Sequence, residues 1–261
     1  YIFVVYSLAG GTGSGLGTFL ASVIAENPNK KVGLVIILPS MNESLQARIN
    51  TYEALSEIIE IKNELCSIFI LDNNQREDKF SINRSFANLF EAYINVANNT
   101  SIRGVIDIAE QKKLLETPGI AMIHKATGTK EDLLSTINEG IYVSLEPNKR
   151  VKYIGLSQPD TKDTIDVADV INVVGEPIDY YCGYGKTEDT VLYLAGLSFP
   201  KTFINKLAES IKAEQDRVKK VMEDDDLSMD MNINFLATKP VEKPQKPKST
   251  MRDRLVASIT K

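Results

Sequence analysis

The chain has 261 residues, 43% of them hydrophobic and 25% charged, with a formal net charge of −5. This is the ordinary balance of a globular protein long enough to bury one or two cores. No apolar run approaches the ~20 residues that cross a bilayer, so no membrane partner is expected. The two cysteines, Cys66 and Cys182, lack metal-ligand spacing and read as reduced thiols of a cytoplasmic protein. The single histidine, His124, lies in a strand-like run and reads as structural. It leaves no basis for a Ser/His/Asp triad.

The first element is a strand over Tyr1–Tyr6. It runs into Ser7-Leu-Ala-Gly-Gly-Thr-Gly-Ser-Gly-Leu-Gly17, and a helix is expected from about Gly15 to Glu26. Successive glycines leave backbone N–H groups uncovered, so an anion can approach the positive end of the helix. Thr12 and Ser14 add hydroxyls at the same place. The turn is therefore read as a nucleotide phosphate site. It is neither a Walker A loop, since no Gly-Lys-Ser/Thr follows, nor a dinucleotide G-x-G-x-x-G with a later ribose acid.

Lys31–Leu38 is a continuous apolar run, as expected of a buried parallel strand, and Pro39 ends it. A helix over Ser44–Ile61 and a strand over Ser67–Leu71 complete an alternating pattern, which implies a doubly wound sheet with ligands at the strands' carboxyl ends. Phe86, Leu89, Phe90, Tyr93, Ile94 and Ala97 recur at helical spacing over Ser85–Asn98. Beyond Gly104, strands are expected at Gly119–His124, Tyr142–Leu145, Val151–Leu156, Val170–Val174 and Val191–Leu197, with helices near Asp107–Glu116 and Lys130–Glu139. A long charged helix starts near Lys201 and ends at the acidic run Glu223–Asp226. From Lys239 to Lys261 there are seven basic and two acidic residues among recurrent prolines, the composition of a linker-like tail.

Gly10-Gly-Thr-Gly-Ser-Gly15 resembles the glycine box of the tubulin/FtsZ superfamily, with Ala9 in place of its first glycine. The resemblance covers about residues 1–200 and implies an α/β, tubulin/FtsZ-like fold. That fold comprises a doubly wound parallel sheet domain, a central helix, a second α+β domain, and here a C-terminal helix and basic tail. The expected divisions are 1–84, 85–103, 104–199, 200–236 and 237–261. In such proteins more sequence precedes the glycine box, so this chain is expected to be a portion of a longer one.

The resemblance also implies GTP/GDP with Mg2+ as ligands, held by Ala9, Gly10, Gly11, Thr12, Gly13, Ser14 and Gly15. Pro39, Glu43 and Arg48 resemble the ribose and base loop. Asn73, in Asp72-Asn-Asn74, resembles the asparagine that reads guanine, since a side-chain amide both donates and accepts. Phe80 is a stacking candidate, and Asn83 or alternatively Asn88 the second base reader. Asp107-Ile-Ala-Glu110 resembles the catalytic loop N-x-D-x-x-D, with Val105 replacing its asparagine. In isolation an Asp-x-x-Glu pair is a solvated helix start.

The implied mechanism is composite. Asp107 and Glu110 of one subunit act on the nucleotide of the next, in a head-to-tail filament. The long helix and basic tail resemble the segregation tubulins of plasmids and phages, whose C-terminal region engages a DNA-bound adaptor at a centromere. A phage tubulin that positions phage DNA, an FtsZ-like division GTPase and a non-polymerising nucleotide module are the alternatives.

Overall fold

A computed structural model describes residues 1–160 and 165–224. In chain order the elements are β1 (Ile2–Ser7), α1 (Gly11–Ala25), β2 (Val32–Leu38), α2 (Leu45–Ile61), β3 (Ser67–Asp72) and α3 (Lys79–Asn95). A 3-10 turn, Val96–Asn98, follows, then α4 (Ile108–Glu116), β4 (Gly119–Ala126), α5 (Lys130–Asn138), β5 (Tyr153–Pro159), α6 (Val167–Val174), β6 (Asp179–Gly185), β7 (Thr190–Leu197) and α7 (Lys201–Asp224).

The strands form one sheet in the order β1-β2-β3-β4-β7-β5-β6. β1 to β4 run parallel, and β7 lies antiparallel between β4 and β5. Two residue pairs, Ser67 with Gly119 and Ile68 with Ile120, join the β1–β3 side to the rest. Residues 1–211 make one compact unit, and a second begins at Lys212.

β2 and β3 are buried along nearly their whole length, because helices cover both faces, and so they read as unbroken apolar runs. α3 is fastened to the sheet through aromatic rings. Phe69 meets Phe86 at 5.1 Å, Phe3 meets Phe90 at 5.3 Å and Tyr93 meets Tyr193 at 4.3 Å. The buried Tyr193 hydroxyl is satisfied by the Ser67 hydroxyl at 2.7 Å, as a phenol in a core must be.

Four expectations need correction. α1 begins at Gly11, not near Gly15, so most of the glycine box is the helix's own first turn. α3 begins at Lys79, six residues earlier than the apolar periodicity suggests, because Asp78 accepts the Phe80 N–H at 2.9 Å and caps it. Val167–Val174 is helix rather than strand. Asp166 caps it, Val170 and Val174 face the core, and Gly175 ends it at φ 98°. Tyr142–Leu145 forms no strand, only an isolated bridge between Tyr142 and Leu71, whereas β6 was not expected at all. The Pro- and Lys-rich tail lies outside the described residues.

Candidate functional site

The glycine box follows from local packing. Leu8 is fully buried at the end of β1, and the Tyr6 ring lies against Gly17, where any Cβ would strike it at 2.5 Å. The Tyr6 and Thr18 hydroxyls are hydrogen-bonded at 3.0 Å. These contacts pin α1 close to β1, and the chain turns between them in three residues. At Gly13 a Cβ would lie 2.4 Å from the Ser7 carbonyl oxygen, so the turn itself requires glycine there.

Gly10 is the N-cap and makes no side-chain cap bond. The first intrahelical bond is Ser14 N–H to the Gly10 carbonyl at 3.0 Å. The N–H groups of Gly11, Thr12 and Gly13 therefore precede any helical partner and point off a helix start of positive potential. A Cβ built on Gly10, Gly11 or Gly15 meets nothing within 4 Å, so the space above the turn is open. Bare amides beneath open space fit a phosphate. The Ser14 hydroxyl is turned inward and donates to the Gly10 carbonyl at 2.7 Å, which leaves Thr12 as the exposed hydroxyl of the box. Asn50 of α2 holds the rim by donating to the Ala9 carbonyl at 3.1 Å.

Beside the turn, the loop after β2 and the turn after β3 are tied together. The Asn74 amide accepts from Met41 N–H at 2.7 Å and donates to the Pro39 carbonyl at 3.2 Å. It also donates to the buried Asp72 carboxylate at 2.6 Å. Asn74 is thus the frame, a role the sequence reading did not assign. Its neighbour Asn73 keeps a buried side-chain oxygen that has no hydrogen-bond partner among the described residues. Glu43 accepts from Ser40 N–H at 3.2 Å and pairs with Lys79 at 2.7 Å. Phe80 is 79% exposed, and both it and Asn83 sit in the first turns of α3 rather than before it. Asn88 lies further along the same helix. Arg48 places one guanidinium nitrogen 3.5 Å from the Ser210 carbonyl and keeps a buried Nε without a hydrogen-bond partner.

Asp107 and Glu110 form a reciprocal cap on α4. Asp107 Oδ1 accepts the Glu110 N–H at 2.8 Å, and Glu110 Oε2 accepts the Asp107 N–H at 3.0 Å. Ile108, between them, is 60% exposed, and Ile102 upstream is fully exposed.

α3 spans the distance between the two groups. Its first residue, Lys79, pairs with Glu43 at the phosphate end. At its far end Tyr93 and Gln111 exchange hydrogen bonds of 2.6 Å, docking α4 there. α4 then passes beneath the amino ends of the strands. The Leu115 carbonyl accepts from Ser67 at 2.8 Å, and Glu116 faces Lys31 at 3.7 Å. The 17 residues of α3 extend about 25 Å, so the acid pair is out of reach of a nucleotide on its own phosphate turn. His124, by contrast, is buried in β4 and packs edge-on against Tyr142. Burial lowers its pKa to about 4, so it stays a neutral core side chain.

A glycine-rich strand-to-helix turn at the carboxyl edge of a parallel sheet defines a nucleotide-binding α/β protein. Residues 1–79 match the Tubulin/FtsZ family, GTPase domain. The chain is 30% identical over 243 residues to the tubulin-like protein TubZ of Clostridium botulinum C phage, covering 90% of this chain and 65% of that one. It thus spans just under two thirds of that relative's length. The crystal structure of Clostridium botulinum phage c-st TubZ superposes with a TM-score of 0.75 at 26% identity, over 82% of this chain and 72% of that chain. GDP-form protofilaments of Bacillus thuringiensis serovar israelensis TubZ share the fold, with a TM-score of 0.71 at 20% identity over 85% and 67% of the two chains.

Proposed function

We propose that this chain is the nucleotide-reading and catalytic-loop portion of a GTP-dependent, filament-forming tubulin-like GTPase. The observation that carries the reading is the placement of the phosphate turn and the acid pair at opposite ends of α3. A site split in this way is completed only by a second subunit stacked head to tail, a contact that propagates into an open filament. The turn amides and Thr12 hold the phosphates, and Asn73, with Phe80 and Asn83, reads the guanine. The Asp107 and Glu110 carboxylates of the next subunit orient the attacking water. Phosphoryl transfer depends chiefly on such positioning and charge stabilisation. Magnesium accompanies the phosphates. Among the described residues no three His, Cys, Asp or Glu side chains gather to hold a metal.

The filament moves plasmid or phage DNA through a DNA-bound adaptor engaged by the basic tail. The likeness to phage and Bacillus TubZ supports this, as does the tail's excess of lysine and arginine. The phage source of the relative also favours a second reading, a tubulin that positions phage DNA in its host. Among the described residues no helix is long and apolar enough to cross a membrane.

The deciding experiment is sedimentation of the natural full-length protein with GTP, with a slowly hydrolysed analogue and with neither. Pelleting with both nucleotides, persisting only with the analogue, is expected. No nucleotide-dependent pelleting would leave a monomeric nucleotide-binding module.

A further inference from the structure

Below the amino ends of β4 and β5, at the edge opposite the phosphate turn, lies a cavity of about 330 Å³. Its walls carry the cationic side chains of Lys62, Arg150, Lys152 and Lys201 and a single carboxylate, Glu146. That carboxylate is already committed. It accepts the Thr202 N–H at 2.8 Å and the Thr202 hydroxyl at 3.1 Å, capping the start of α7. None of the four cations forms an ion pair among the described residues, although the chain as a whole carries a net negative charge.

The crowding has an energetic cost. Lys152 donates to the Pro118 carbonyl at 2.9 Å, and burial, with Arg150 beside it, lowers its pKa. The turn that presents Arg150 is strained. Lys149 sits at φ 43°, the one non-glycine with positive φ among the described residues, and is held there by its amide to the Glu146 carbonyl and its ammonium to the Asn172 carbonyl. Strain of this kind concentrates where a side chain must be aimed. Ser198 accepts from the Asn148 amide at 2.9 Å, so its own hydroxyl hydrogen remains available to a ligand.

We infer that this cavity is a second anion site, which takes a condensed phosphate chain of diphosphate or triphosphate size. Four unpaired cations and a free hydroxyl match a multiply charged oxyanion, and the volume lies at the small end of ligand pockets. The site is separate from the phosphate turn by the depth of the sheet, about 20 Å for the six residues of β1. Lys201 is the first residue of α7, so an anion here bears directly on how that helix begins. The inference is independent of the proposed GTPase reading.

The test is calorimetric titration of the whole chain with pyrophosphate and with tripolyphosphate, in excess GDP so that the phosphate turn is filled. Binding that weakens at least tenfold between 50 and 200 mM salt, and at least tenfold in the double variant Lys62→Gln/Arg150→Gln, is expected. Lys201→Gln should weaken it independently. If the variants bind both anions like the wild type, the site is not there. A short DNA duplex that competes more strongly than tripolyphosphate, and loses binding in the same variants, would overturn the small-ligand assignment in favour of a nucleic-acid surface. Binding seen only without GDP would assign all of it to the phosphate turn.

Discussion

The carboxylates of Asp107 and Glu110 each accept the other's backbone N–H, at 2.8 and 3.0 Å, so the pair that is proposed to orient water also holds the start of α4 in place. The structural role and the proposed catalytic one therefore fall on the same two carboxylates, and a truncation would disturb both. Glu110→Gln separates them, because glutamine at this position of a capping box still accepts the amide. Glu110→Gln should melt within a degree or two of the wild type while GTP hydrolysis falls a hundredfold or more. Glu110→Ala should in addition lose about 1 kcal/mol of stability. Phosphate release by Glu110→Gln at the wild-type rate would remove the catalytic role.

The glycines of the box separate into two kinds. Gly13→Ala places a Cβ 2.4 Å from the Ser7 carbonyl oxygen and should destabilise the fold by more than 1 kcal/mol even without ligand. Gly11→Ala meets nothing within 4 Å and lies in the first helical turn, so stability should be unchanged or slightly higher. Its methyl nevertheless enters the open space above the amides, and GTP affinity should fall at least tenfold. Thermal melts paired with nucleotide titrations check both. Gly11→Ala with wild-type affinity would place the phosphates elsewhere.

Asn73 carries an unpartnered buried amide oxygen beside the frame built by Asn74. Asn73→Ala should therefore erode the preference for GTP over ATP with little loss of stability. Asn74→Ala should loosen both loops and lower stability by 1–3 kcal/mol, since it strands buried partners. Competition binding and urea melts on the two variants distinguish reader from frame.

His124 gives a pH signature. Its folded pKa, about 4, lies below the ordinary value of 6.5, so between these pH values the unfolded chain binds the extra proton. The contribution of a neutral His124 is complete at pH 7 and is lost as pH falls from 6.5 towards 4, on the order of 3 kcal/mol in all. Urea melts at pH 7 and pH 4.5 should show a larger drop for the wild type than for His124→Phe. Equal drops would mean that the ring is not buried in its neutral form.

The parallel half of the sheet and the strand–turn–helix of the glycine box were legible because each rests on a local pattern, an apolar run broken by glycine. The misreadings have particular causes. Val-Ala-Asp-Val-Ile-Asn-Val-Val is β-branched enough to suggest a strand, but Asp166 caps it and its apolar residues fall at helical spacing, so packing overrode propensity. β6 was hidden because Gly183 and Gly185 break its apolar pattern. Any Cβ at Gly183 would strike the backbone of Ile106, and at Gly185 the side chain of Asn99. Asp78 was an available helix-start signal, and reading it would have put Phe80 and Asn83 inside α3. The partners of Arg48 and Asn74 come from segments distant in sequence, and no spacing rule reaches them.

If the proposed split site operates, α3 fixes the stoichiometry of its chemistry. With the phosphate turn at one end and the acid pair at the other, a row of n stacked subunits under the proposed mechanism contains n nucleotides but only n − 1 completed sites. One terminal subunit always keeps its nucleotide intact. A short row wastes a larger share of its sites than a long one, so turnover per molecule climbs with protein concentration and levels off as the row lengthens. Under that mechanism, the geometry of a single helix makes turnover a gauge of assembly.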